Sequence, residues 1–187
     1  MTPTFQITRD RKWVIVDTNV ISHILTIGSE VPIFQPVAKR IGTFTPTITP
    51  LIRAEFLRKS KSKAEFEKFK QHLNDKFAEI NLSNPDDQYD IFNFAGECAV
   101  VCRFANKGHA GHIELTDYVH HGLMRHFYKN LYILTFDNND FPQPIFNILC
   151  HESIEVGEQL MIWSLRKFNR GNFSNYFGRY VGASNRR

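Results

Sequence analysis

"WVIVDTNVISHIL", residues 13–25, decides the fold. Trp13-Val14-Ile15-Val16 is an unbroken apolar run, the pattern of a short strand buried on both faces of a parallel sheet. Asp17, Thr18 and Asn19 follow at once, and apolar residues then resume as a helix through Leu25. A carboxylate at that junction can cap the new helix. It can equally stand at the carboxyl edge of the sheet, where α/β proteins gather their ligand sites.

Outward from this stretch, strand and helix alternate. "TFTPTITP" (43–50) reads as a second strand, and Thr49 is placed to cap a helix whose first residue is Pro50. That helix, "PLIRAEFLRKS", is followed by another over 62–79, where Phe66, Phe69, Leu73 and Phe77 form an apolar stripe. "INLSNPDD" (80–87) predicts a short strand and turn, and Asp86 or Asp87 opens a long helix through Phe104, ended by "NKGHAG". "ELTDYVHHGLMRHF" (114–127) predicts a helix with Leu115, Tyr118, Val119, Leu123 and Phe127 on one face. "LYILT" (131–135) is a strand, "FDNNDFP" a loop, "IFNIL" (145–149) a further strand, and 153–168 a last helix. The expectation is an α/β fold with a central, mainly parallel sheet covered on both faces. The expected division is an α/β domain over 1–150 and a helix with a basic aromatic tail over 151–187.

The chain's 187 residues suffice for one full domain. A hydrophobic content of 42% with 22% charged residues is that of a soluble globular protein. Three cysteines, an odd number, do not make a disulfide framework, which predicts a reducing cytoplasmic setting. No apolar run suits a signal peptide or a membrane span, so no membrane partner is expected. The net charge of +4 is uneven. From Arg166 onward the chain holds Arg166, Lys167, Arg170, Arg179, Arg186 and Arg187 but none of its 19 acidic residues. A basic segment interleaved with Phe and Tyr can track a nucleic-acid backbone and stack on unpaired bases. Arg166, Lys167, Arg170 and Arg179 are therefore candidate RNA contacts, against the alternatives that the tail packs on the domain or is a solvated terminus.

Four places carry carboxylates that the apolar pattern does not need: Asp17, Glu55, Asp117, and the pair Asp137 and Asp140. Singly each has a structural explanation, as an N-cap, a surface charge, a helix-start acid or a turn. Together they fall after strands or near helix starts, the positions that a parallel sheet brings to one edge. Crowded carboxylates repel and coexist only with protons, cations or metal. Mg²⁺ and Mn²⁺ favour such oxygen ligands, and ions so held activate water and neutralise phosphate charge.

In that order, "VDTNVIS", "PLIRAEFLR", "ELTDYVHHGLM" and "LYILTFDNNDFP" resemble the PIN domain, closest in style to the VapC-like ribonuclease toxins. The resemblance spans roughly residues 13–150. It implies a three-layer α/β/α sandwich and a Mg²⁺- or Mn²⁺-dependent endoribonuclease acting on single-stranded RNA. Asp17, Glu55, Asp117 and Asp137 match the catalytic and metal-binding acids; Asp140 is a further metal candidate, and which of the last two faces the metal stays open. Thr18, Asn19 and Thr135 match the supporting polar residues. As a toxin, the chain would have an antitoxin partner, and homodimerisation is implied on the same ground. The alternative is a PIN-like module that binds RNA or protein without catalysis.

Other constellations are weaker. Cys98 and Cys102 followed by His109 and His112 have imaginable zinc spacing, but apolar flanks favour two buried helical cysteines. His120, His121 and His126 share a helix with Asp117; His121, four residues beyond it, has the spacing for a phosphate contact or proton relay, against the favoured reading as a structural histidine. Neither a nucleophile-elbow motif nor a glycine-rich phosphate loop is present.

Overall fold

A computed structural model describes residues 4–8, 10–105, 113–143, 145–156 and 159–184. Among these the strands are β1 (Thr4–Phe5), β2 (Trp13–Val16), β3 (Thr45–Ile48), β4 (Ala78–Ile80), β5 (Leu131–Thr135), β6 (Phe146–Val156) and β7 (Gln159–Phe168). The helices are α1 (Thr18–Ile27), α2 (Val31–Ile41), α3 (Pro50–Leu57), α4 (Lys63–Lys76), α5 (Pro85–Ala105), α6 (Leu115–His126) and α7 (Arg170–Ser184). One mixed sheet has the order β1-β4-β3-β2-β5-β7-β6. The first five strands in that order run parallel, and β7 and β6 are antiparallel. The expected α/β class with a mainly parallel sheet is what the chain adopts.

β2 is central, with Trp13 opposite both Thr45 and Leu131. All four of its residues are buried, as a strand covered on both faces requires. Asp17 then takes an extended conformation and accepts the Thr18 N–H, which starts α1 directly above the strand end. α3 begins the same way after β3: the Thr49 hydroxyl accepts the Ile52 N–H, and Pro50 takes the first position. α5 and α6 pack closely, because a Cβ on Gly122 would lie 2.1 Å from the Ile91 carbonyl oxygen.

Three expectations are corrected. The helix expected over 62–79 stops at Lys76, and its last residues, Ala78 and Glu79, open β4 beside β3. The helix expected over 153–168 is instead the second half of β6 and all of β7, paired from Phe146↔Phe168 to Val156↔Gln159. Apolar runs of this length are ambiguous locally. Here apolar Trp163 and Leu165 alternate with polar Ser164 and Arg166, all four buried, in a hairpin annealed to β5. Position 150 therefore falls inside β6, so the expected boundary between 150 and 151 cuts a strand of the same sheet. The tail then forms α7, whose Phe173 is buried against Phe168 and beneath the Arg125 guanidinium. Arg186 and Arg187 lie outside the described residues, as do His109 and His112 of the zinc reading, while Cys98 and Cys102 are buried on α5.

Candidate active site

The five sequence-predicted acids line one open pocket of about 310 Å³ at the carboxyl edge of the parallel strands. Asp17 arrives from β2, Glu55 from α3, Asp117 from the first turn of α6, and Asp137 and Asp140 from the loop after β5. Thr18 and Asn19 line the same pocket. So do four residues that sequence reading did not assign to it: Glu114 and Thr116 at the start of α6, and Arg58 and Lys59 at the end of α3. Glu114 stands three positions before Asp117 and takes the N-cap position of α6 without a side-chain cap hydrogen bond. Arg58 and Lys59 read as an ordinary basic surface.

The hydroxyls and amides order the acids. Thr135 donates to the Asp17 carboxylate at 2.6 Å, and the Thr18 N–H donates to its other oxygen at 2.7 Å. The Thr18 hydroxyl donates to Glu55 at 2.7 Å, so one residue ties the start of α1 to α3. Asn19 accepts the Phe136 N–H at 3.3 Å and holds the loop after β5 rather than an acid. Within that loop Asp137 accepts from the Asn139 and Asp140 amides at 3.1 and 3.4 Å. The Asp140 carbonyl accepts from buried His121 at 2.7 Å. Arg53, two residues before Glu55, pairs with Glu79 and also donates to Asn74.

Charge crowding shows in the acids. Burial, opposed by the Thr135 and Thr18 hydrogen bonds and reinforced by Glu55 and Asp137, pushes Asp17 above the usual carboxylate range. Burial and then the neighbouring Asp140, Asp17, Glu114 and Asp137 push Asp117 up to about 8. Burial followed by Asp137 pushes Asp140 up to about 7. Such a cluster holds protons until a cation replaces them. The donor set is carboxylate oxygen, which suits a hard divalent ion. Among the described residues no three His, Cys, Asp or Glu side chains are yet grouped tightly enough to hold one. The donor chemistry fits a metal, and the carboxylates would have to draw inward around it.

Comparison with known proteins identifies no family. No family model, curated protein or solved structure matches the chain. The resemblance to PIN domains rests on the residues alone.

The candidate RNA contacts of the tail fare differently. Arg166 is 3% exposed, and its guanidinium donates to the Phe141 carbonyl, to Asn138 at 2.7 Å and to Ser164 at 2.8 Å. It pins the loop that carries Asp137 and Asp140, so it is a structural arginine in this fold. Because β7 runs antiparallel to β5, Lys167 and Arg170 are carried to the opposite sheet edge, over the rings of Tyr132 and Tyr128. Arg179 is exposed on α7. Arg166→Met is expected to orphan the Phe141 carbonyl and to take from the Asn138 side-chain oxygen one of its two donors, leaving Ser164, a loss of about 2–4 kcal/mol. Thermal unfolding should show it as a Tm drop of about 5–15 °C, with Arg179→Ala unchanged within about 2 °C. Equal melting of both variants would remove the pinning role.

Proposed function

We propose that this chain is a Mg²⁺- or Mn²⁺-dependent endoribonuclease of the PIN type, an α/β/α sandwich that hydrolyses phosphodiester bonds in single-stranded RNA. The observation that carries this reading is the convergence of Asp17, Glu55, Asp117, Asp137 and Asp140, drawn from four separate segments, on one pocket. Asp17, Glu55 and Asp117, with Asp137 or Asp140, would hold the ion. When bound, the metal supplies activated water and charge neutralisation at the phosphate. The chain's own groups do the positioning: Thr135 and Thr18 fix Asp17, Thr18 also fixes Glu55, and Arg166 and His121 hold the loop with the last acids. On the same resemblance the proposal extends to a toxin restrained by an antitoxin that reaches this pocket, and to a homodimer.

The test is cleavage of a labelled single-stranded RNA with Mg²⁺ or Mn²⁺, with chelator, and with Asp17→Asn. Wild type should cleave only with metal. Asp17→Asn should fall by about 100-fold or more, consistent with the several kcal/mol that a metal contributes to charge stabilisation. Asn preserves the carboxyl's shape but keeps only one of the two acceptors that Thr135 and Thr18 use, so the variant should stay folded and melt within about 5 °C of wild type. Equal cleavage by both proteins would remove the site. Tight RNA binding with neither cleavage nor metal uptake would leave a non-catalytic module.

A further inference from the structure

The pocket poses an electrostatic problem that divalent ions solve only at the scissile phosphate. An RNA strand approaching five carboxylates is repelled along its length, and counter-charge for the flanking phosphates must come from elsewhere. Among the tail's described cations, Arg166 is buried and Lys167 and Arg170 sit at the far sheet edge, so none of these three supplies it. The two basic residues lining the pocket are Arg58 and Lys59. Lys61 and Lys63 continue the exposed basic stretch toward α4.

Two observations separate this turn from an ordinary solvated surface. First, Arg58 and Lys59 share the pocket with the acids, yet among the described residues no ion pair joins them to a carboxylate, nor any to Lys61 or Lys63. Second, their backbone is ordered. The Arg58 N–H donates to Ala54 at 3.1 Å, that of Lys59 to Phe56 at 3.2 Å, and that of Ser60 to Leu57 at 3.1 Å. The Ser60 hydroxyl adds a 2.7 Å bond to the Leu57 carbonyl, and the Lys61 N–H donates to Glu65 at 2.6 Å. Cations at a helix end also favour its dipole, but that requires neither the pocket nor their freedom from the nearby acids. A rigid scaffold presenting unpaired cations beside an acidic cleft suits a polyanion that must lie across it.

We propose that the turn between α3 and α4, led by Arg58 and Lys59 and continued by Lys61 and Lys63, seats the phosphates that flank the cleaved bond of a single-stranded RNA. This rests on the nuclease reading of the acidic pocket. The roles divide: the carboxylates and metal act on one phosphate, and the turn holds its neighbours.

The experiment compares the paired substitution Arg58→Ala/Lys59→Ala with Lys167→Ala/Arg170→Ala, which removes equal charge from the opposite edge. Binding of a fluorescein-labelled single-stranded RNA is followed by anisotropy across a salt series, each pair being built on Asp17→Asn to prevent cleavage. The Arg58/Lys59 pair should weaken binding about tenfold or more near 0.1 M salt and flatten the log–log salt dependence by about 1.4. The Lys167/Arg170 pair should change neither. In the otherwise wild-type protein, the Arg58/Lys59 pair should raise KM for RNA with kcat retained. Its loss on bis(p-nitrophenyl) phosphate with Mn²⁺, a diester with no flanking phosphates, should be several-fold smaller than its loss of kcat/KM on RNA. Unchanged affinity and salt slope would overturn the proposal, as would equal loss on RNA and on the small diester. A wild type that cleaves neither substrate would reject the nuclease reading, and binding alone would then decide whether the turn holds phosphates.

Discussion

Asp117→Asn is expected to abolish metal-dependent cleavage while making the metal-free protein more stable at pH 8. Asp117 is pushed up to about 8 in the folded chain, against an ordinary 3.8, by burial and four neighbouring acids. A carboxyl raised in this way favours the folded state while it is protonated. Its contribution is present in full below about pH 4 and is lost as pH rises toward 8, where the folded chain must hold the charge. The interval from 3.8 to about 8 corresponds to about 6 kcal/mol at about 1.4 kcal/mol per pH unit, and water at the pocket mouth reduces this to about 2–4 kcal/mol. Asparagine stays neutral throughout. In chelator, the variant's Tm should exceed that of wild type by about 5–15 °C at pH 8 and match it near pH 4.

The buried histidines slope the other way. His120 and His121 are lowered to about 4 and about 3, mainly by burial, so their stabilising contribution is present above about pH 6.5 and lost as pH falls toward those values. Both proteins carry them, and the difference between variant and wild type cancels them. Adding Mn²⁺ should reverse the order at pH 8 by stabilising wild type alone. A variant less stable than wild type at both pH values would make Asp117 a structural acid.

The acids were legible because each broke a pattern. Asp17 interrupts an apolar run, and Asp137 and Asp140 follow another; parallel strands must bring both ends to one edge. Thr49 and Pro50 announced α3 through capping chemistry that needs no tertiary partner. The hairpin β6–β7 was not legible, since its pairing with β5 is a long-range choice that local apolar content does not encode. Misreading it as a helix hid the antiparallel return of β7, and with it the burial of Arg166 and the displacement of Lys167 and Arg170 from the site. Arg58 and Lys59 were missed for a related reason. Their charge is obvious, but only the fold shows that they face the acids without pairing to them.

Gly122→Ala is expected to be among the most destabilising single substitutions in the chain, although alanine is the better helix former by about 1 kcal/mol. A Cβ at position 122 would stand 2.1 Å from the Ile91 carbonyl oxygen and 2.9 Å from the Ala95 nitrogen. Both are backbone atoms of a helix and cannot rotate away. α5 and α6 must separate, giving up packing around Ile91, Ala95, Leu123 and Met124, for a net loss of about 3–5 kcal/mol. Gly96 supplies the contrast, because a Cβ there meets nothing within 4 Å. Gly96→Ala should therefore gain up to about 1 kcal/mol from propensity alone, so the same substitution on adjacent helices changes Tm in opposite directions. The consequence extends to the pocket. α6 carries Asp117 in its first turn and, through His121, holds the Asp140 carbonyl. A displaced α6 should lower cleavage well below the level that the folded fraction explains. Thermal unfolding and RNA cleavage of the two variants test this together. A Gly122→Ala protein with wild-type Tm and activity would show that the α5–α6 crossing is looser than the backbone contacts require.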